Sequence, residues 1–110
     1  MAIYMTQVAY TPEHLAALAK EPRDRTEDIA ALAKKFDGKL LGFWYSFGEY
    51  DGVGIVEAPD EKAMTGFIAT ALGGGHIRAT KTTVLMTPKD AMEALGRSKG
   101  MTYQAPGGKR

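Results

Sequence analysis

His76 and Arg78 carry the most evident chemistry in this sequence. An imidazole titrates near neutral pH and could take a proton, while a guanidinium two positions on could hold a carboxylate or enolate through paired hydrogen bonds. Both follow Gly73-Gly74-Gly75, at the expected start of a strand. The second histidine, His14, falls in a first helical turn and is expected to be solvated. Asp51 could hold or activate the phenol of Tyr50, but an aspartate in a turn is expected to accept backbone donors, with Tyr50 packed over the hairpin. Trp44 and Tyr4 offer aromatic faces that could stack on a planar ligand or fill an interface. The candidate catalytic residues are therefore His76 and Arg78. The candidate ligand-binding residues are Tyr4, Thr6, Trp44, Ser46, Gly52, Gly54, Thr80 and Thr82.

Several chemistries find no support. The sequence has no cysteine and two well-separated histidines, so neither a thiolate nucleophile nor a clustered metal site is expected. Gly73-Gly74-Gly75 ends a helix instead of joining a strand to one, which is the wrong setting for a dinucleotide fingerprint. No serine nucleophile elbow, phosphate loop or paired-carboxylate motif is present, no residue signals haem strongly, and no cofactor is expected. Fourteen Lys and Arg against thirteen Asp and Glu leave a formal charge of +1, which argues against nucleic acid as a partner. No basic run exceeds a pair, and no stretch reaches the roughly 20 apolar residues of a membrane span, so a membrane partner is not expected either. The chain opens on a strand-like segment without a secretion signal, and the cytoplasm is the expected compartment.

The 110 residues suit one domain with a single core. Residues 3–10 alternate and hold β-branched and aromatic side chains, which predicts a first strand. Thr11-Pro12 opens a helix that Glu21-Pro22 interrupts, because the residue before proline is pushed out of the helical region. A second helix over residues 25–36 presents Ile29, Leu32, Ala33 and Phe36 as one stripe, and Gly38 stands where a left-handed cap is wanted. Strands over 39–47 and 50–57 are joined by a tight turn at Gly48-Glu49-Tyr50. Asp60 then caps a helix carrying Met64, Phe67 and Ile68, which the three glycines stop. A fourth strand covers 77–86, and Thr87-Pro88 opens a last helix. Residues 1–98 form the expected domain and 99–110 a tail.

Omitting the interruption and the last helix, the order is βαββαβ, an antiparallel four-stranded sheet with its helices on one face. Alternation sorts the strand residues into two sets. The aliphatic set, with Ile3, Met5, Leu41, Phe43, Val53, Ile55 and Leu85, is assigned to the helices. The uncovered face then collects Tyr4, Thr6, Trp44, Ser46, Gly52, Gly54, Arg78, Thr80 and Thr82. Such a face is too aromatic to leave in water and too polar for a dry core, so two copies are expected to stack their sheets into a homodimer or larger oligomer, with a cavity opposite the two glycines.

The hairpin carries a resemblance. Gly48, Tyr50 and Asp51, preceded by Gly-Phe-Trp-Tyr and followed by Ile-Val-Glu-Ala-Pro-Asp, are similar to the turn that names the GYD-domain family. The likeness extends to Tyr4-Met5-Thr6 and to Thr80-x-Thr82, and covers roughly residues 3 to 95. It implies a ferredoxin-like fold of the dimeric α/β-barrel type and no settled activity. Gly52 and Gly54, where relatives tend to carry valine-like residues, and the triple glycine depart from the pattern and would enlarge a cavity. Three functions follow as expectations: binding of a small hydrophobic or aromatic molecule between stacked sheets, cofactor-independent catalysis (an oxygenase, isomerase or cyclase) by His76 and Arg78, or an interaction module without a ligand.

Overall fold

The computed structural model describes residues 1–107. Eight elements follow in the order β1 (Ala2–Tyr10), α1 (Pro12–Lys20), α2 (Thr26–Lys35), β2 (Lys39–Tyr45), β3 (Gly52–Ala58), α3 (Glu61–Gly73), β4 (Ile77–Leu85) and α4 (Pro88–Gly96). The strands form one antiparallel sheet in the order β2-β3-β1-β4. With a helical crossover on each side of the central hairpin, this is the ferredoxin-like βαββαβ fold. Of the expected tail, residues 108–110 lie outside the described residues.

Local signals in the sequence act where they were expected. Thr11 Oγ1 accepts the backbone N–H of His14 at 3.1 Å, Asp60 Oδ1 that of Ala63 at 2.9 Å, and Thr87 Oγ1 that of Asp90 at 3.1 Å, so three helices begin on side-chain caps. The left-handed residue after α2 is Asp37, with φ 60°, and not Gly38. Gly38 is needed for closeness instead. A Cβ there would stand 3.0 Å from the Glu57 carbonyl oxygen and 3.2 Å from that of Ala33. The hairpin turn is also wider than the tight turn expected, running from Ser46 to Asp51. It is closed by Ser46, whose N–H donates to the Asp51 carbonyl at 2.8 Å and whose hydroxyl donates to the Tyr50 carbonyl at 2.7 Å.

The core lies between the sheet and the helices α2 and α3. Tyr4, Val56 and Ala58 from the sheet meet Ala33 of α2 and Met64 and Phe67 of α3, with Ile29, Leu32, Phe36, Leu40 and Ile68 packed around them. This reverses the expected assignment of faces. In antiparallel register directly opposed residues share a face, and Tyr4 opposes Val56 and Val84, while Thr6 opposes Gly54 and Thr82. Tyr4, Thr6, Gly52, Gly54, Thr80 and Thr82 therefore face the helices. Ile3, Met5, Val53, Ile55 and Leu85 stand on the open side.

Strand β2 divides between the two predictions because its register shifts between Leu40 and Gly42. Beyond that bulge, Phe43 and Tyr45 oppose Gly54 and Gly52 on the helix side, and Trp44 opposes Val53 on the open side. Trp44 thus keeps its expected face, but it is separated from Tyr4 by the sheet, and the two rings cannot hold one ligand together. The Trp44 ring reaches Gly42, where a Cβ would come within 2.5 Å of its outer edge.

Candidate functional site

The two glycines of β3 leave space on the helix side of the sheet. A cavity of about 150 Å³ lies there, lined chiefly by Val8, Ile29, Leu32, Phe43, Phe67 and Ile77 around Gly54, with Thr6 contributing a hydroxyl. That hydroxyl is 3.1 Å from the hydroxyl of Thr82. At one end the lining turns polar, where Tyr10, Arg25, Asp28 and His76 converge. These four come from the end of β1, the start of α2 and the residue before β4. Antiparallel pairing puts the first and last of them together, since Tyr10 is registered with Ile77 and the Thr11 N–H donates to the His76 carbonyl at 2.9 Å.

Tyr10, His14 and His76 form a ring cluster. The Tyr10 and His76 centroids are 6.0 Å apart and nearly parallel, and His14 stands edge-on to both, 4.7 Å from Tyr10 and 5.0 Å from His76. Burial, helped by the charges of Tyr45 and Asp51 and opposed by that of Arg25, pushes the Tyr10 phenol up to about 12. It is therefore a neutral hydrogen-bond donor near neutral pH. His14 titrates below the usual histidine range, first through desolvation and then through the neighbouring His76 and Arg25. The Nδ1 atom of His76 lies against Gly74, where a Cβ would meet it tightly at 3.0 Å.

Asp51 anchors this corner. Its Oδ2 accepts the Tyr10 N–H at 2.9 Å and its own N–H donates to the Val8 carbonyl at 2.8 Å. The expectation that Asp51 accepts a backbone donor holds, although the donor belongs to β1 and not to the turn. A wider, more open cleft of about 650 Å³ lies on the other side of Tyr10, between Leu15, Leu18 and Pro22 and the hairpin residues Tyr45, Ser46 and Phe47.

Among the sequence-derived candidates, Thr6, Gly54 and His76 line the cavity, and Gly52 lies beside it, beneath Phe43 and the Tyr10 hydroxyl. Tyr4 is buried in the adjoining core, Ser46 lines the open cleft, and Thr80 bonds the Gln7 carbonyl. Trp44 is on the opposite face. Arg78 is the extra residue where β4 slips against β1 between Ala9 and Tyr10, and it is exposed and absent from the cavity lining. The guanidinium that lines the cavity with His76 is that of Arg25. Tyr10, His14 and Arg25 were missed as a group, yet the predicted topology offered a signal, since the end of the first strand must lie beside the start of the fourth.

The profile of the GYD domain matches residues 4–95. The chain belongs to the GYD family. No curated protein matches the GYD chain in sequence. Among solved structures, it is similar to TTHA0845 from Thermus thermophilus, with a TM-score of 0.53 and 12% identity over 79% of this chain and 95% of that one. It is also similar to the transcriptional regulator NMB0573 of Neisseria meningitidis, solved with L-Met, with a TM-score of 0.52 and 18% identity over 79% of this chain and 51% of the regulator. The match to MtbAldR has a TM-score of 0.52 and 16% identity over 78% and 52% of the two chains. The GYD chain thus spans about half the length of each of these last two proteins. At such identities the likeness is one of fold.

Proposed function

We propose that this GYD protein binds a small apolar molecule, about the size of one aromatic ring, in the cavity between its sheet and helices α2 and α3. The cavity itself carries this reading. An apolar space of about 150 Å³ lined by Leu, Ile and Phe is of the size that holds a benzene ring in other proteins, and the space here has that volume and a largely apolar lining, though it is partly open and polar at one end. The ligand space moves from between two sheets, where the sequence suggested it, to the helix side of one sheet. The open face, with Ile3, Met5, Trp44, Val53, Ile55 and Leu85, supports association of two copies through their sheets.

Titration with toluene, followed by the methyl resonances of Ile29 and Ile77, tests the binding. Saturable shifts at those methyls are expected, and their absence would leave the reading without its ligand. Light scattering at micromolar concentration is expected to return the mass of a dimer.

A second reading, cofactor-independent proton-transfer catalysis, rests on the Tyr10, His14 and His76 cluster beside Arg25. In it Arg25 takes the anion-holding part first given to Arg78. Turnover of a bound ligand, lost on His76→Gln while binding persists, would separate catalysis from binding.

A further inference from the structure

We propose that the polar end of the cavity reads an anionic oxygen group, so that its ligand is a single-ring aromatic carboxylic acid. This inference rests on the binding reading above and adds the chemistry of the bound molecule.

Three unspent hydrogen-bonding groups carry it. Tyr10 is 6% exposed, yet its hydroxyl has no hydrogen-bond partner among the described residues, and no fully enclosed side-chain polar atom among them goes unsatisfied. The hydroxyl must therefore reach open space, and Tyr10 forms part of the wall of both the cavity and the outer cleft. Arg25 is held through one nitrogen only. Its Nε donates to Asp28 Oδ2 at 2.9 Å, and its terminal nitrogens have no acceptor among the described residues. His76 makes no side-chain hydrogen bond among those residues, and the Nδ1–Cε1 edge of its ring is turned toward Gly74.

The charges decide between an anion and a cation. Asp28 is the one carboxylate in the cavity lining, and its Oδ2 is already shared by Arg25 and by Arg23, the latter at 3.2 Å. Asp24 and Asp51 line the outer cleft, where Asp24 is engaged by the N–H and hydroxyl of Thr26, at 2.9 and 2.6 Å, and Asp51, whose charge acts on the Tyr10 phenol, is engaged by the Tyr10 N–H at 2.9 Å. What the lining has left to offer at this end is donors. Tyr10 remains protonated far above neutral pH and serves as one of them. A carboxylate on a ring lodged between Phe43, Ile29 and Phe67 would meet the terminal nitrogens of Arg25 and the Tyr10 hydroxyl while the ring takes the apolar space.

Calorimetric titration near neutral pH with sodium benzoate, benzamide and toluene tests this, with methyl shifts at Ile29 and Ile77 locating each ligand. Benzoate is expected to bind about 10- to 100-fold tighter than its neutral isostere benzamide, as befits a charge-assisted pair. Arg25→Gln should remove most of that preference. Tyr10→Phe, which keeps the ring and its packing, should weaken benzoate about 3- to 10-fold and leave toluene unchanged. If toluene binds but benzoate is no tighter than benzamide, the cavity reading stands and this inference falls. If neither ligand binds, both fall. Benzoate affinity unchanged in Arg25→Gln and Tyr10→Phe would likewise overturn it.

Discussion

The two faces of the sheet solve opposite problems with residues that look alike in the sequence. On the helix side the strand residues range from glycine through valine to large aromatic rings. Gly52, Gly54 and Ala58 alternate with large rings contributed from neighbouring strands, so that Phe43 and the Tyr10 hydroxyl sit over Gly52. On the open side mid-sized apolar residues, Ile3, Met5, Val53, Ile55 and Leu85, share the face with Trp44 on the edge strand β2 and with Gln7, Lys81 and Thr83. Glycines set against large rings leave a cavity on the helix side, whereas a face rich in mid-sized apolar residues suits another sheet. An aliphatic strand face is therefore no sign of a helix-covered core when a glycine-rich face lies on its other side.

The largest effect expected from breaking this contrast is at Phe67, which is 7% exposed and joins α3 to both the core and the cavity wall. Phe67→Ala should cost about 3–5 kcal/mol in urea unfolding. The counterpart on the open face is Ile55→Lys. It should leave a folded chain whose mass by light scattering falls to that of a monomer, because the charge is placed where only a partner sheet would bury it. A dimer persisting in Ile55→Lys would move the association surface elsewhere.

Tyr10 sharpens the contrast from its polar end. The folded protein keeps this phenol protonated to about 12, above the ordinary value of 10.0, so the unfolded chain loses the proton first as pH rises. The stability that Tyr10 contributes is fully present below pH about 10 and is lost through pH about 12, with a slope of at most about 1.4 kcal/mol per pH unit. Unfolding followed across that window should show this loss, and Tyr10→Phe should remove Tyr10's share of it.

Much of this architecture was legible in the sequence because its signals are local. Thr11-Pro12, Asp60 and Thr87-Pro88 mark helix starts through their own backbone geometry, and the stripe from Ile29 to Phe36 needs only helical spacing. The face of each strand is a different kind of fact. It depends on what packs above it, and in β2 it changes at a bulge that no residue type near Leu41 announces. The site was half legible for the same reason. His76 could be found from its chemistry and its place before a strand, but its guanidinium partner lies 51 positions earlier in sequence, at the start of α2, and Arg78 was favoured only because it was near in the chain.

The smallest expected effects separate the two glycines of β3, which the sequence treats as equivalent. At Gly52 a Cβ would stand 3.2 Å from each of Phe43 Cζ, the Tyr10 hydroxyl and a Val8 methyl, so Gly52→Ala must displace three neighbours at once. Crowding of about 1–3 kcal/mol outweighs the roughly 0.5–1 kcal/mol that removing a strand glycine returns, and a net loss of about 1 kcal/mol is expected. At Gly54 nothing lies closer than 3.7 Å, an ordinary contact. Gly54→Ala should therefore stabilise the protein by about 0.5–1 kcal/mol while projecting a methyl into the cavity. Unfolding midpoints that move in opposite directions, with toluene binding weakened in the more stable variant, would show that Gly54 is retained for space and Gly52 for closeness. Equal destabilisation by both would mean that the space beside Gly54 is already filled in solution.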